Sequence, residues 1–413
     1  MTVPMKSSES ATITVWVRTG SRNEEKRING ISHFLEHMVF KGSKKRPSAR
    51  AISETVDSFG GEFNAATNKD WTNFYIKSRI DRIEMAADVL SDMVLNPILD
   101  PEEIEREKGT IIQEIAMYQD TPMIDIYNVF EDMMFAGSPL GRDVAGIPES
   151  VRTIKRNDFL KYRATHYHPS EMLVTISGGV SEKDASSLVK EYFGGLKKSV
   201  SKFKGENFQS AQKRPQLSVK YKKSDQAHII LGFFGNGRGY KGRYAQSVLS
   251  TILAGPMSSR LFLEIRERRG LAYAVQPALD RYQDVGYLGA YAGTDPSKAK
   301  ETIKVMIDQL YGLAAGKYPI SKSEILKAKE YIKGHIALSL EDTNAVNEFF
   351  GMQAMFLPKI LSPEELYKTI DKVSIEDVMS EANHLFDPKN LNLAIIGPYS
   401  KETDKEAFKK LIL

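Results

Sequence analysis

The predicted elements of this chain run through the same order twice, and a repeat of that kind restricts the fold more than any composition does. The first pass reads as a strand over 11–17, a helix over 29–42 and a helix running from Ser48 to the stop at Gly60-Gly61. Strands over 62–67 and 71–77 follow, then two long helices, the second opening at Asp100-Pro101. After Phe193-Gly194-Gly195 comes a basic, polar stretch with few apolar residues, carrying Lys197, Lys198, Lys202, Lys204 and Lys213. The order then recurs: a strand over 227–234, helices over 244–253 and 258–269, strands over 271–277 and 286–292, and two long helices. Even the letters repeat, since Glu102-Glu103-Ile104 through Asp120-Thr121 lies over Glu324-Ile325-Leu326 through Asp342-Thr343 at a constant offset. The expectation is an α+β protein of two similar domains, each a mainly antiparallel sheet packed with helices, produced by internal duplication. Its boundaries fall at 1–200, a linker at 201–215, and 216–413, which suits 413 residues.

Local signals support these elements. Ile13, Val15 and Val17 alternate with Thr12, Thr14 and Trp16, as in a strand with one buried face. Asn29 and Ser48 are placed as helix N-caps, and Asp100 precedes a first-turn proline. A formal charge of +4 is small for this length, so neither nucleic acid nor a membrane is an expected partner. With no cysteine, metal ligands must come from His, Asp and Glu. No run is apolar and long enough to span a bilayer, and the first residues carry no apolar signal core.

The chemistry concentrates in His33-Phe34-Leu35-Glu36-His37. On a helix, histidines at i and i+4 share one face and can chelate one ion, with a carboxylate beside them to take a proton from water. This is the inverted zincin pattern; the same letters also fit a polar helix face with satisfied histidines. The long helix after Asp100 adds Glu107 and Glu114 on the stripe defined by Ile104, Ile111, Ile115 and Tyr118. Carboxylates on a core face need a cation nearby, unless the stripe is misassigned. In the second repeat Glu107 faces Lys329 and Glu114 faces Ile336, so these acids belong to one half alone.

The segment 30–42 resembles the zinc helix of the pitrilysin/insulinase metallopeptidases, closest to the subfamily of the mitochondrial processing peptidase catalytic subunit and its bacterial relatives. That family takes a third ligand from a glutamate separated from the second histidine by 76 intervening residues, the spacing between His37 and Glu114 here. The resemblance implies Zn²⁺ held by His33, His37 and Glu114, with Glu36 as the base and Glu107 orienting a ligand histidine. It also implies a substrate-binding edge strand at Phe63, Asn64, Ala65 and Ala66, and an Arg266/Tyr273 pair that assists from the second half. A zinc endopeptidase acting on extended or unfolded peptides follows, working as a homodimer and soluble in a bacterial cytoplasm. The alternative is a non-catalytic core subunit of the same fold. The family's usual first strand would survive only as its end, within Met1 to Met5. His166 and His168, with no carboxylate pair nearby, are expected at the surface, and Glu264 to Arg269 reads apart from the family as a solvated helix face.

Overall fold

The computed structural model describes all 413 residues except Lys198, Lys202 and Lys204, which belong to the basic stretch and lie outside the described residues. The chain forms two compact units. The first comprises Met1–Met117, Arg142–Glu206 and Ser339–Ile360; the second comprises Tyr118–Gly141, Asn207–Leu338 and Leu361–Leu413.

The sheet of the first unit is built from β1 (Thr2–Pro4), β2 (Ser10–Val17), β3 (Glu62–Thr67), β4 (Thr72–Arg79) and β5 (Met172–Gly178), in the spatial order β1-β5-β2-β4-β3. The second unit repeats the pattern with β6 (Gln216–Tyr221), β7 (Ala227–Asn236), β8 (Ala272–Arg281), β9 (Val285–Thr294) and β10 (Asn392–Gly397), ordered β6-β10-β7-β9-β8. In each sheet one edge pair is parallel, β1 with β5 and β6 with β10, and the remaining pairs are antiparallel. The α+β class with two similar sheets is therefore the one expected, and each sheet is mixed.

Between the strands of the first half run α1 (Ile31–Val39), α2 (Ala49–Ser58), α3 (Ile83–Leu95), α4 (Pro101–Asp120), α5 (Pro122–Met134), α6 (Pro148–Thr153), α7 (Arg156–His166) and α8 (Glu182–Phe193). The second half contributes α9 (Arg243–Ala254), α10 (Ala299–Ala314), α11 (Lys322–Ser339) and α12 (Thr343–Phe356) before its C-terminal helices. The helix expected over 258–269 is instead a short turn leading into a π-helical stretch, Phe262–Glu267. Among the described residues no helix is long and apolar enough to cross a membrane.

One face of the first sheet packs Ile13, Val15, Phe74, Ile76 and Ile176 against α1 and α3, with Phe34, Leu35, Val89 and Val94 fully buried among them. Each such side chain contributes about 1.5–3 kcal/mol of transfer free energy. The opposite face, expected to be the polar side of an alternating strand, is also buried. It is covered by α12: Thr12 and Thr343 share a hydroxyl hydrogen bond of 2.9 Å, and Asn347 Nδ2 donates to the carbonyls of Thr12 and Thr175 at 3.0 and 3.2 Å. Trp16 donates its indole N–H to Thr175 Oγ1 at 2.9 Å. Gly351 lets the helix approach this indole, since a Cβ there would fall 2.7 Å from its ring. The second sheet has the corresponding cover from α5, where Ile126, Phe130 and Met134 pack on Ile230, Tyr287, Ala394 and Ile396. Glu131 of α5 accepts hydrogen bonds from the hydroxyls of Tyr282 and Tyr287.

Candidate metal centre

Helix α1 begins after Gly30, whose φ of +97° is left-handed backbone that favours glycine. The N-cap expected at Asn29 is not formed by that residue. Glu24, buried outside the helix, accepts the N–H groups of Gly30 and Ser32 at 2.7 and 2.8 Å, and Asn29 donates its own amide to the same carboxylate. A two-oxygen acceptor thus answers two of the orphan donors at the helix start. Ile31, Phe34, Leu35, Met38 and Val39 take the core face of α1, which leaves His33, Glu36 and His37 on the other face.

Helix α4 supplies the complementary acids. Asp100 caps it by accepting the N–H groups of Glu102 and Glu103, and Ile104, Ile111 and Ile115 bury one stripe. Glu107 lies buried on that stripe, as the periodicity predicts, while Glu114 is partly exposed. His33 Nε2 stands 3.6 Å from Glu114 Oε1, and His37 Nε2 stands 3.4 Å from Glu114 Oε2. The imidazole centroids are 4.6 Å apart. Donor atoms of His33, His37 and Glu114 all lie within 4.8 Å of one another, the one such set of three among the described residues.

The surroundings set the charge of each group. Burial, reinforced by the neighbouring His37, pushes His33 down to about 4, so its imidazole is neutral at pH 7. Burial pulls His37 down too, but its hydrogen bonds to Glu107 and Glu114 outweigh that and raise it to about 9. Glu107 is itself penalised by burial, yet His37 and Lys41 hold it below the usual carboxylate range. Its Oε1 accepts from His37 Nδ1 at 2.8 Å and its Oε2 meets Lys41 Nζ at 2.6 Å. Burial pushes the Glu36 carboxyl up, against the hydrogen bond that Thr67 Oγ1 donates to its Oε2 at 2.5 Å. Three carboxylates, one ammonium and two imidazoles leave this cluster short of positive charge when the imidazoles are neutral. Two imidazole nitrogens and a carboxylate are a donor set that fits zinc by ligand type.

Strand β3 pairs with β4 on one side and forms the edge of its sheet on the other. Phe63 and Ala65 turn toward the core, with Phe63 against Phe40, while Asn64 and Ala66 are exposed. Thr67 ends this strand, so the hydroxyl that meets Glu36 comes from the same edge. Neither Thr67 nor Lys41 was singled out by sequence, because their contacts depend on how strand and helix pack.

In the second unit, Arg266 and Tyr273 are neighbours. The Arg266 guanidinium lies 4.9 Å from the Phe262 ring centroid and 4.8 Å from that of Tyr273, and it donates to the Tyr273 carbonyl at 3.2 Å. Tyr273 sits at a register shift of β8 and is 77% exposed. Within Glu264 to Arg269, Glu264 pairs with Arg268 and Arg269. The surface expectation fails for His166, which is 6% exposed and packs on the rings of Tyr162 and Phe203 at 4.5 and 4.6 Å. Aromatic neighbours on both sides make it a core side chain, and burial lowers it to about 4.

The chain is similar to known proteins over nearly all of its length. Residues 2–146 match the family described as insulinase (peptidase family M16), and residues 153–332 match the peptidase M16 inactive domain. An uncharacterized zinc protease of Mycobacterium leprae is 34% identical over 98% of this chain and 90% of its own length. One from Bacillus subtilis is 33% identical over 94% of this chain and 93% of its own. A protease from Helicobacter pylori shares the fold with a TM-score of 0.89 at 22% identity, covering 96% of each chain. Two consecutive family matches and full-length relatives at this identity lead to one conclusion: the chain belongs to the insulinase family of peptidases, M16.

Proposed function

We propose that this chain is a zinc endopeptidase that cleaves extended or unfolded peptides, of the type represented by the mitochondrial processing peptidase catalytic subunit and its bacterial relatives. The observation that carries the reading is the convergence of His33, His37 and Glu114 beside a half-buried Glu36. Relatives named zinc proteases supply the metal's identity. His33, His37 and Glu114 hold the ion. When bound, zinc supplies Lewis acidity, which polarises a carbonyl and acidifies water. Thr67 occupies Oε2 of Glu36, so Oε1 is the atom that takes a proton from the attacking water and returns it to the leaving amine. Phe63, Asn64, Ala65 and Ala66 on the open edge of β3 pair with substrate backbone, a mode that recognises extended chain rather than sequence.

Arg266 and Tyr273 are assigned on the family resemblance as donors to the developing oxyanion and the substrate backbone. The working form is assigned as a homodimer on the same ground. The non-catalytic alternative is disfavoured by the presence of all of His33, Glu36, His37 and Glu114, since a scaffold has no use for the set. Metal analysis combined with digestion of one protein in its folded and denatured forms tests the reading. Stoichiometric zinc with cleavage of the denatured form is expected; absence of both supports the scaffold. For the dimer, Glu36→Gln and Tyr273→Phe chains are unfolded together and allowed to reassociate. Activity above the averaged parents marks a site shared between two chains.

A further inference from the structure

Glu107 is held from two sides by groups of opposite purpose. One oxygen accepts the Nδ1 proton of His37 at 2.8 Å and the other meets the ammonium of Lys41 at 2.6 Å, with the Glu107 side chain 5% exposed. Lys41 follows the last turn of α1, four residues beyond His37, where its charge also suits the negative end of the helix. Its N–H donates to the Met38 carbonyl at 3.1 Å, so its backbone continues the turn that carries His37. The three side chains therefore form one chain of contacts, Lys41 to Glu107 to His37, ending at an imidazole whose Nε2 faces Glu114.

We infer that Lys41 is a positioning residue for the metal centre: it anchors the Glu107 carboxylate so that Glu107 fixes the tautomer and ring orientation of His37. This rests on the reading of His33, His37 and Glu114 as zinc ligands. The physical reason is that ligation requires His37 to be a neutral imidazole, and a carboxylate this deeply buried then needs another cation, which Lys41 supplies. With Lys41 in place, both of its oxygens are engaged and neither can rotate away. His37 then keeps its proton on Nδ1, and the Nε2 lone pair stays directed at the other two ligands. Partners of this outer kind typically change metal affinity by roughly ten- to a hundredfold.

Two effects of removing Lys41 oppose each other, which makes the test sharp. Simple Coulombic bookkeeping predicts that deleting a cation near the site tightens binding of a divalent ion. Anchoring predicts the reverse. The measurement is zinc affinity by competition with a chromogenic chelator, for wild type, Lys41→Met, Lys41→Arg, Glu107→Gln and the Lys41→Met/Glu107→Gln double variant. The Co²⁺-substituted absorption spectrum reports ligand geometry in parallel. The inference expects zinc affinity to fall about tenfold or more in Lys41→Met. It also expects a perturbed Co²⁺ spectrum, recovery of both in Lys41→Arg, and no further loss when Lys41→Met is added to Glu107→Gln. Unchanged or tighter zinc binding by Lys41→Met overturns it, as does a full additional loss in the Glu107→Gln background. Should Lys41→Met fail to fold, Lys41→Gln carries the same comparison. Wild-type protein that binds no zinc refutes the underlying ligand assignment, whereas zinc-binding wild type with an indifferent Lys41→Met refutes the role of Lys41 alone.

Discussion

A carboxylate taken out of water needs a cation, and the first unit gathers Glu36, Glu107 and Glu114 around two imidazoles. Their duties separate by substitution. On the proposed assignment, His37→Ala should lose zinc on dialysis by removing one of the three proposed donors, while Glu36→Gln should keep stoichiometric zinc and lose peptide hydrolysis by roughly a hundredfold or more. Metal content and turnover of the two variants, measured side by side, check this; equal zinc loss in both would remove the distinction between ligand and base. At this scale much was legible in the letters. His33, Glu36 and His37 lie within one helical turn, so their shared face follows from 3.6 residues per turn alone. Lys41 and Thr67 were not legible as parts of the site, because the first reaches Glu107 across 66 positions and the second reaches Glu36 across 31. Asn29 looked like the cap of α1 by residue type, yet Glu24 arrives through space with two oxygens and takes that duty.

Elements succeed or fail on what covers their second face. The alternation in β2 correctly marked Ile13, Val15 and Val17 as core, but Thr12, Thr14 and Trp16 are buried as well. Their cover, α12, joins them through contacts such as Thr12 with Thr343, 331 positions apart, which no local pattern encodes. Asn347 makes this cover specific, since its amide bonds two carbonyls of the sheet and its oxygen accepts from Thr175. Asn347→Ala should therefore lower the stability of the first unit by about 2–4 kcal/mol, leaving buried acceptors unmatched; an unfolding free energy from denaturant titration that equals wild type would show the amide to be dispensable. In the second unit, Glu324 pairs with Arg260 through both oxygens, at 2.8 and 3.0 Å. Burial opposes its ionisation, but the Arg260 and Ser321 hydrogen bonds win and bring it down to about 2. A folded value below the unfolded one means the pair stabilises above about pH 4.5 and loses that contribution as pH falls toward 2. Partial exposure limits it to about 1 kcal/mol. The gap in thermal midpoint between wild type and Glu324→Gln should thus be present at pH 7 and shrink by pH 3; a gap independent of pH would contradict the assignment.

At the scale of the whole molecule, the two compact units are not two contiguous stretches of chain. Residues Tyr118–Gly141 come from the first half but complete the second unit, and Ser339–Ile360 come from the second half but complete the first. Duplication was readable because each repeat keeps its own strand order and helix lengths. The exchange was not, because α5 and α12 occupy equivalent places in the repeat and either sheet face would satisfy their apolar stripes. Each exchanged helix buries side chains that would otherwise leave a sheet face bare: Phe130 is fully buried on the second sheet, and α12 seals Trp16 on the first. Exposing faces of this size drives association. The consequence is testable by cutting the chain between Glu206 and Asn207. Produced separately, 1–206 lacks the cover of its sheet and 207–413 lacks α5, so each fragment should aggregate or fold poorly. Produced together, each carries the segment that the other needs, and they should assemble into a one-to-one complex that survives purification by a tag on one fragment and binds zinc as the intact chain does. Independent folding of 1–206 as a stable monomer with native zinc affinity would show that the exchanged helix is an accessory and not a structural part of the first unit.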